Sequence, residues 1–471
     1  MGIFLIPIVF FCVKEYNKPV NYYKEIFTMR KILAIWAAKL SAVAGRIMGK
    51  NSSSGPGTIA LKICPDLIER LKGNIRHKVI VTCGTNGKTT TNNLIYSALT
   101  KCGYSVVCNN LGANMLSGVA TALALECNWL GSFKVDYACL EVDEASTVRV
   151  FEHIKPDYVV ITNLFRDQLD RYGEVDMTVE LIKKALSMAD EPVLILNGDD
   201  PVTASFGHGY KNAVYYGIGE QVLRQTDDTK EGRYCTICGA EQKYNYFHYS
   251  QLGDYYCPMC GNKRPKLDFE AKNVNLTNGL AFSVGNTRVS LNYRGFYNIY
   301  NILAVYSAMN TMGIKYDSFK TALEEYKPQV GRMEEINLGK PVILNLAKNP
   351  AGFNQAIATV LQDPRKKDVI FAVNDAPSDG QDVSWLWDVD FDKIVHNELN
   401  TLSVSGTRKY DLALRFKYSD IKVDNISADM RELMQKCLAT DAEVCYALVN
   451  YTALFGTEKI MLDIKKERGG K

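Results

Sequence analysis

Apolar residues in this chain gather into short runs separated by stretches of helical periodicity, and that alternation predicts its architecture. The runs at 79–81, 137–142, 158–162 and 193–196 are too short for helices and mostly apolar, the pattern of strands buried on both faces of a parallel sheet. Helical patterns between most of them supply the crossovers of βαβ units. Past Pro328 the pattern recurs, with runs at 342–346, 368–373 and 445–449, so a separate C-terminal α/β unit is expected. Short strand-like segments precede GFYNIYNILAVYSAMNTMG (295–313), which has a long helical period. Nearer the start, Met29 opens an amphipathic helical pattern (Ile32, Leu33, Trp36, Leu40, Val43) expected to pack on the central unit, and NSSSGPGT (51–58) is a loop by composition. Residues 2–13 are apolar but too few to span a bilayer, and they lack the basic flank of a signal peptide. Residues 1–28 are therefore read as an extension or an over-long start.

The end of the first run carries the most specific chemistry. Val79-Ile80-Val81 leads through Thr82-Cys83 into Gly84-Thr85-Asn86-Gly87-Lys88-Thr89-Thr90, and a helical apolar pattern (Leu94, Ile95, Ala98, Leu99) follows. Between strand and helix, such a loop presents backbone N–H groups to phosphates. Lys88 is placed to reach the β- and γ-phosphates, and the Thr89 hydroxyl to bind Mg²⁺. A Walker A loop has glycine where this chain has Thr82, so the loop is a tighter form. The next three runs end in Glu141-Val142-Asp143-Glu144, in Thr162-Asn163 ahead of Asp167-Gln168-Leu169-Asp170-Arg171, and in Asn197-Gly198-Asp199-Asp200. Any one of these acids, taken alone, reads first as a solvated strand end. Ligands of open α/β sheets bind beyond the carboxyl ends of the strands, so together the acids are expected to converge on a metal–nucleotide site.

Composition changes this picture little. At 47% hydrophobic and 23% charged the chain is a folded one, and 471 residues exceed a single core. Lys+Arg of 55 against Asp+Glu of 52 gives no electrostatic case for binding nucleic acid. Cysteine does change it. Most of the thirteen cysteines stand singly in apolar runs (Cys83, Cys108, Cys139, Cys445), as small core residues of a reducing compartment do. Cys235, Cys238, Cys257 and Cys260 instead form two CxxC pairs with 18 residues between them, in a Tyr- and Cys-rich segment over 229–266. That is the spacing of a Zn²⁺ ribbon. Four thiolates fill a tetrahedral shell, so the expected role is structural; the alternative of two redox dithiols lacks a thioredoxin-like βαβ frame.

Together these residues resemble the Mur ligase family, ATP-dependent amide-bond synthetases of cell-wall precursor assembly. The likeness rests on GTNGKTTT, ITNLFRDQLDRYG (161–173), LNGDDP (196–201), GFYNIYN (295–301) and Gly331-Arg332-Met333-Glu334. The ribbon, KNPAGFNQ (348–355) and NDAPSDGQDVSWLWDVDF (374–391) narrow it to the MurT branch, the synthetase subunits of lipid II isoglutaminyl synthases. The resemblance implies an α/β fold with a Mur ligase-type P-loop central domain over residues 29–328, carrying the zinc ribbon as an insertion. A smaller, Rossmann-like C-terminal domain over 329–471 would contact a glutaminase partner. The implied reaction is cytoplasmic, at the inner face of the membrane. ATP phosphorylates the α-carboxylate of D-glutamate in the lipid II stem peptide, and ammonia from a GatD-like class I glutaminase then forms D-isoglutamine. Residue by residue, Gly84, Thr85, Asn86, Gly87, Lys88, Thr89 and Thr90 would hold the phosphates of ATP, and Thr89 and Glu141 would bind Mg²⁺. Asn301 and Arg332 would contact the nucleotide, while Asn298 caps or packs. Asp382, rather than Asp379 or Asp388, would project into the partner's site to orient its catalytic histidine. Trp385 and Trp387 would pack the core or a subunit interface.

Three positions depart from ordinary Mur ligases. Gln168 replaces a metal-binding histidine, which argues against a second Mg²⁺. Lys183 lies at the spacing of a carbamylated lysine but on a surface-like helix face. Lys348 replaces a histidine near the seat of the incoming amino acid, as suits a small nucleophile. A stand-alone amino-acid-adding ligase of muramyl-peptide or folylpolyglutamate type, and a nucleotide-binding scaffold without turnover, are the competing readings.

Overall fold

The structure, a computed structural model, describes residues 20–48, 53–109, 113–165, 175–223, 232–277, 279–326, 330–396 and 398–469. Asp167, Gln168, Asp170 and Arg171, Pro328 and residues 1–19 lie outside the described residues.

The predicted parallel sheet is there, and larger than the runs suggested. Its strands are β1 (Ile75–Cys83), β2 (Val106–Cys108), β3 (Val135–Glu141), β4 (Tyr158–Ile161), β5 (Val193–Asn197) and β6 (Ala213–Ile218). A hairpin of β7 (Lys243–Tyr249) and β8 (Leu252–Tyr256) forms a sheet of its own. The chain then returns as β9 (Phe269–Asn275), β10 (Leu280–Val284) and β11 (Thr287–Leu291). The nine-stranded order is β11-β10-β9-β6-β5-β4-β1-β3-β2, parallel from β2 to β9 and closed at one edge by the antiparallel pair β10 and β11. β1 sits between β3 and β4, so its C-terminal end opens near the middle of the sheet.

Both faces of that sheet are covered. On one side Ile80, Cys139, Val160 and Ile195 pack beneath α4 (Lys88–Lys101) and the 298–311 and 316–325 helices; on the other Val81, Leu140, Val159 and Leu194 pack beneath the N-terminal helices. These include α1 (Val20–Ile47), α2 (Gly55–Ile63) and α3 (Leu67–Lys72). α1 begins at Val20 and runs through Met29 unbroken. No β-branched run or proline interrupts residues 20–47, so nothing local stops the helix earlier. Among the single cysteines Cys83, Cys139 and Cys445 are buried as expected, whereas Cys108 at the end of edge strand β2 is only half-buried. No helix among the described residues is long and apolar enough to cross a membrane.

The second sheet has the order β12-β13-β17-β14-β15-β16: β12 (Arg332–Asn337), β13 (Pro341–Leu346), β14 (Lys367–Ala372), β15 (Leu399–Ser405), β16 (Asn425–Ile426) and β17 (Val444–Val449). It is parallel except for edge strand β12. β14 and β17 are buried at every position; β17 and residues 369–372 of β14 are accordingly apolar, while the buried Lys367 and Asp368 at the start of β14 are held by Asp363 O and by Lys340 and Thr440.

Candidate active site

The shortened phosphate loop has a structural cause. Thr82, which stands where a longer loop has glycine, is a β1 residue paired with Glu141 on one side and Val160 on the other. The strand thus runs two residues further, and the turn begins only at Gly84. Gly84 has φ +119°, and a Cβ there would meet the Thr162 hydroxyl at 2.4 Å and the Asn163 carbonyl at 2.8 Å. Gly87 has φ +85°, and a Cβ there would lie 2.2 Å from Asn301 Oδ1. Any side chain at either position would be strained in its backbone and without room. Neither requirement is visible from the loop alone, since the blocking atoms come from the turn just past β4 and from a helix over 200 residues away in sequence.

The seven loop residues do different things. Asn163 takes the Thr85 N–H on its carbonyl (2.8 Å) and the Asn86 N–H on its side-chain oxygen (2.9 Å). The Thr85 hydroxyl exchanges hydrogen bonds with the Phe165 backbone. Thr85 and Asn86 therefore have their amides occupied by protein. The next helix, α4 (Lys88–Lys101), closes its first turn with Thr91 N–H donating to Gly87 O. Its orphan donors are the amides of Lys88, Thr89 and Thr90, and Gly87 at its N-cap supplies no side-chain acceptor. By contrast the Pro201–Ser205 and Pro350–Gln362 helices are capped by their own Asp200 and Asn349 side chains. An uncapped helix N-terminus beside a lysine is a site for a polyanion.

Acid groups face that terminus from the end of β3. Glu141 is buried; its Oε1 accepts from Asn114 Nδ2 at 3.3 Å, and its Oε2 has no hydrogen-bond partner among the described residues. A buried carboxylate oxygen left over in this way suits a cation, and carboxylate and hydroxyl are the hard oxygen donors Mg²⁺ takes. Lys88 Nζ lies 2.8 Å from Glu144 Oε1, both side chains buried. Burial works against the ammonium, but the charges of Glu144, Asp143 and Glu141 outweigh it and push the Lys88 pKa up, so it stays protonated. Glu144 was visible in the sequence only as one strand-end acid among several. Its pairing with Lys88 needs the fold.

The acids after β5 correct the expectation of four converging strand ends. Asp199 and Asp200 are fully buried and saturated. Asp199 holds Arg264 at 3.1 Å and accepts from Tyr300 OH (2.9 Å) and Ile218 N–H (2.8 Å). Asp200 accepts from Leu164 N–H, the Thr203 hydroxyl, Val202 N–H and Gln251 Nε2. They are structural. Burial raises the Asp199 carboxyl to about 6 against the pull of Arg264. Arg264 and Gln251 both belong to the cysteine-rich insertion, so these acids anchor it to the sheet.

Within that insertion Cys235, Cys238, Cys257 and Cys260 bring their four sulfurs within 4.8 Å of one another. Cys235–Cys260 and Cys238–Cys257 are 3.6 and 3.5 Å apart, close to the edge of about 3.8 Å for a tetrahedron with zinc–sulfur arms of about 2.3 Å. Desolvation raises the Cys235 thiol, but amide donors of Cys238 and Ile237 outweigh it and bring it down to about 6. The set fits zinc, and every ligand position is taken by sulfur.

Of the other predicted residues, Asn301 is buried beside Gly87 and donates to Asn298 Oδ1 (3.0 Å). Asn298 donates to Arg294 O and so packs, while Tyr297 holds the cap position. Arg332 opens β12, and its charge is felt by Tyr297 and Tyr326, the latter bonded to Asn93 of α4. Lys183 is exposed and paired with Glu180 at 3.1 Å, as a surface lysine. Asp379 is buried and accepts from Thr452, whereas Asp382 is exposed and accepts from Ser384 N–H. Trp385 stacks on Phe353 (5.4 Å) and Trp387 is exposed against Tyr418. One contact was not anticipated: Asn349, which caps its own helix through Gly352 N–H, lies 3.4 Å from Asn86 Oδ1 and so joins the second sheet to the phosphate loop.

Residues 81–309 match the Mur ligase middle domain and residues 346–454 the MurT ligase C-terminal domain. The chain is 34% identical over 429 residues to the lipid II isoglutaminyl synthase (glutamine-hydrolyzing) subunit MurT of Staphylococcus aureus (strain COL), covering 90% of this chain and 96% of that one. It is 31% identical over 446 residues to the same subunit of Streptococcus pneumoniae (strain ATCC BAA-255 / R6), covering 92% and 97%. Among solved structures it is similar to a pseudomurein peptide ligase type C from Methanothermus fervidus, with TM-score 0.66 and 26% identity over 85% of this chain and 81% of that one. The fold is also that of the MurF ligase from Thermotoga maritima in complex with ADP, with TM-score 0.59 and 17% identity, covering 87% and 84%. This chain belongs to the MurT family of Mur-type ligases.

Proposed function

We propose that the chain is the synthetase subunit of a lipid II isoglutaminyl synthase, amidating the α-carboxylate of D-glutamate in the stem peptide with ammonia supplied by a partner glutaminase. The observation that carries this reading is the uncapped, lysine-bearing terminus of α4 beside the unsatisfied Glu141 oxygen, joined through Asn86 and Asn349 to a lobe that matches the MurT C-terminal domain. ATP phosphates lie on the amides of Lys88, Thr89 and Thr90, and Lys88 exchanges Glu144 for the β- and γ-phosphates. Thr89 and Glu141 would hold Mg²⁺, which would neutralise phosphate charge. A carboxylate oxygen attacks the γ-phosphorus and ADP leaves, giving an acyl phosphate. Ammonia then attacks the acyl carbon, inorganic phosphate leaves, and the nitrogen loses a proton. Asn301 and Arg332 flank the nucleotide. The four cysteines hold zinc as a structural ion.

The central ATP-binding unit spans residues 29–328, and residues 329–471 form the partner-contacting unit. The second lobe exposes Asp382 and an aromatic pair, Trp387 and Tyr418, steadied by Arg415 over the Trp387 ring at 5.7 Å. This is the face offered to the glutaminase, with Asp382 orienting its catalytic histidine. The lipid-linked substrate makes the enzyme peripheral at the inner face of the membrane. The test is the chain with its glutaminase, given lipid II, ATP, Mg²⁺ and amide-¹⁵N glutamine. The expected product carries one ¹⁵N in the stem peptide and forms with one ADP. Preferential ligation of a free amino acid would replace this reading with that of a stand-alone ligase.

A further inference from the structure

Helix α1 has two apolar faces and covers only one of them. Ala34, Ile35, Ala38 and Ala42 are buried in the core beneath the large sheet. On the outward face Met29, Leu33, Trp36, Leu40, Val43 and Ile47 repeat at alternate spacings of four and three and are 43–82% exposed. That spacing keeps a continuous apolar stripe along about five turns of helix. A surface helix of a globular protein turns polar residues to solvent at these positions. The stripe is widened by the neighbouring loop, where Trp129 and Leu130 are 57% and 79% exposed. Trp36 donates its indole N–H to Trp129 O at 2.7 Å, and the two rings meet edge to face at 6.3 Å, which holds both in place at the surface.

The charges around the stripe choose its occupant. From residue 28 to residue 48 every charged side chain is basic: Arg30, Lys31, Lys39 and Arg46. Lys39 bonds Leu125 O and lies 5.8 Å over the Trp129 ring; Glu126 and Asp66, the carboxylates near Lys39 and Arg30, lie beyond the helix. A two-fold contact with a second copy would set these basic flanks against each other. An anionic bilayer surface accepts them, and its interface takes Trp, Leu and Met side chains to a depth of several ångströms. The same chain carries twelve uncharged residues at 2–13, ahead of the helix. We infer that the outward face of α1, with Trp129 and Leu130, is a docking surface for an anionic lipid bilayer. This goes beyond the amidation reading, and it places the catalytic sheet beside a membrane whatever substrate that sheet uses.

The experiment is vesicle flotation with the full chain and no cell-wall substrate, so that its failure leaves the amidation reading untouched. Vesicles of phosphatidylglycerol with phosphatidylethanolamine are compared with phosphatidylcholine alone. The chain is expected to float with the anionic vesicles and shift its Trp emission to the blue. The Leu33→Glu/Leu40→Glu variant should bind at least about tenfold more weakly with its melting temperature unchanged. The Lys31→Ala/Arg46→Ala variant, which leaves the apolar stripe whole, should weaken binding and flatten its salt dependence. Chain lacking residues 1–19 should still float. Wild-type protein that stays with neither vesicle overturns the proposal, as does equal binding by the Leu33→Glu/Leu40→Glu variant. Loss of binding on deleting residues 1–19 alone would move the anchor off α1. A dimer, or a glutaminase complex, that dissolves in the Leu33→Glu/Leu40→Glu variant without vesicle binding would assign the face to protein instead.

Discussion

Two neighbourhoods of the same sheet carry adjacent acids at strand ends, and they have opposite chemistry. After β3, Glu141 keeps an oxygen without a partner and Glu144 holds the ammonium of Lys88. After β5, Asp199 and Asp200 are equally buried, but every oxygen is engaged by backbone, hydroxyl, amide or guanidinium. The difference comes from what the chain brings over each strand end. Over β3 lies the uncapped start of α4, whose amides and positive terminus have no capping acceptor, while the second Glu141 oxygen receives no donor among the described residues. Over β5 lies the cysteine-rich insertion, whose Arg264 and Gln251 saturate the acids. Burial raises the cost of an unpaired charge at both places. One strand end is completed by protein, and the other is completed only when a cation and a polyanion arrive.

Attacking the two ends separately should therefore split stability from turnover. The largest effect is expected from the ribbon: a strong chelator should unfold the insertion, read as new protease cleavage within 232–266 and a fall in melting temperature, with one equivalent of zinc released. An intact ribbon after metal loss would break the comparison. Next, Asp199→Ala should cost about 3–5 kcal/mol in urea unfolding, because it takes the buried acceptor from Tyr300 OH and Ile218 N–H and leaves Arg264 only the partly exposed Asp254, while turnover per folded molecule holds. Glu141→Gln should do the reverse, cutting ATP turnover by about 10²–10³-fold with stability changed by under about 1 kcal/mol. Gln251→Ala, which leaves Asp200 and the Leu164 carbonyl each one donor short, should cost about 1–3 kcal/mol.

The smallest effect is a pH slope. Asp199 is raised by burial from 3.8 to about 6 in the fold. Between those values the folded chain holds a proton that the unfolded chain has released. Stability from this group is therefore full below pH 4 and is lost as pH rises towards 6, by at most about 1.4 kcal/mol per unit. The Asp199→Asn variant should lack that slope, and an identical pH dependence in both proteins would refute the assignment.

Several of these features were legible in the residues. The strands were, because strand positions buried on both faces are mostly apolar, as along β17 and over residues 369–372 of β14. The cysteine cluster was, because both pairs are local turns whose spacing sets the distance between sulfurs. The phosphate loop was legible as a loop but not in its division of labour. Thr85 and Asn86 look as available as Lys88 until Asn163, 77 or 78 residues later, takes their amides.

The sequence by itself determined what each segment would be: buried strand, phosphate-binding turn, metal-holding knuckle, helix with an apolar stripe. Those properties follow from periodicity and local spacing, which act within a few residues. Only the tertiary structure decided which acids stay open for chemistry, which glycines have no room for a side chain, and which apolar stripe is left uncovered. Those outcomes depend on atoms contributed from distant segments, as Asn301 is to Gly87, Arg264 to Asp199 and Asn349 to Asn86. A buried polar group is structural or functional according to whether such a partner reaches it, and no local pattern records that.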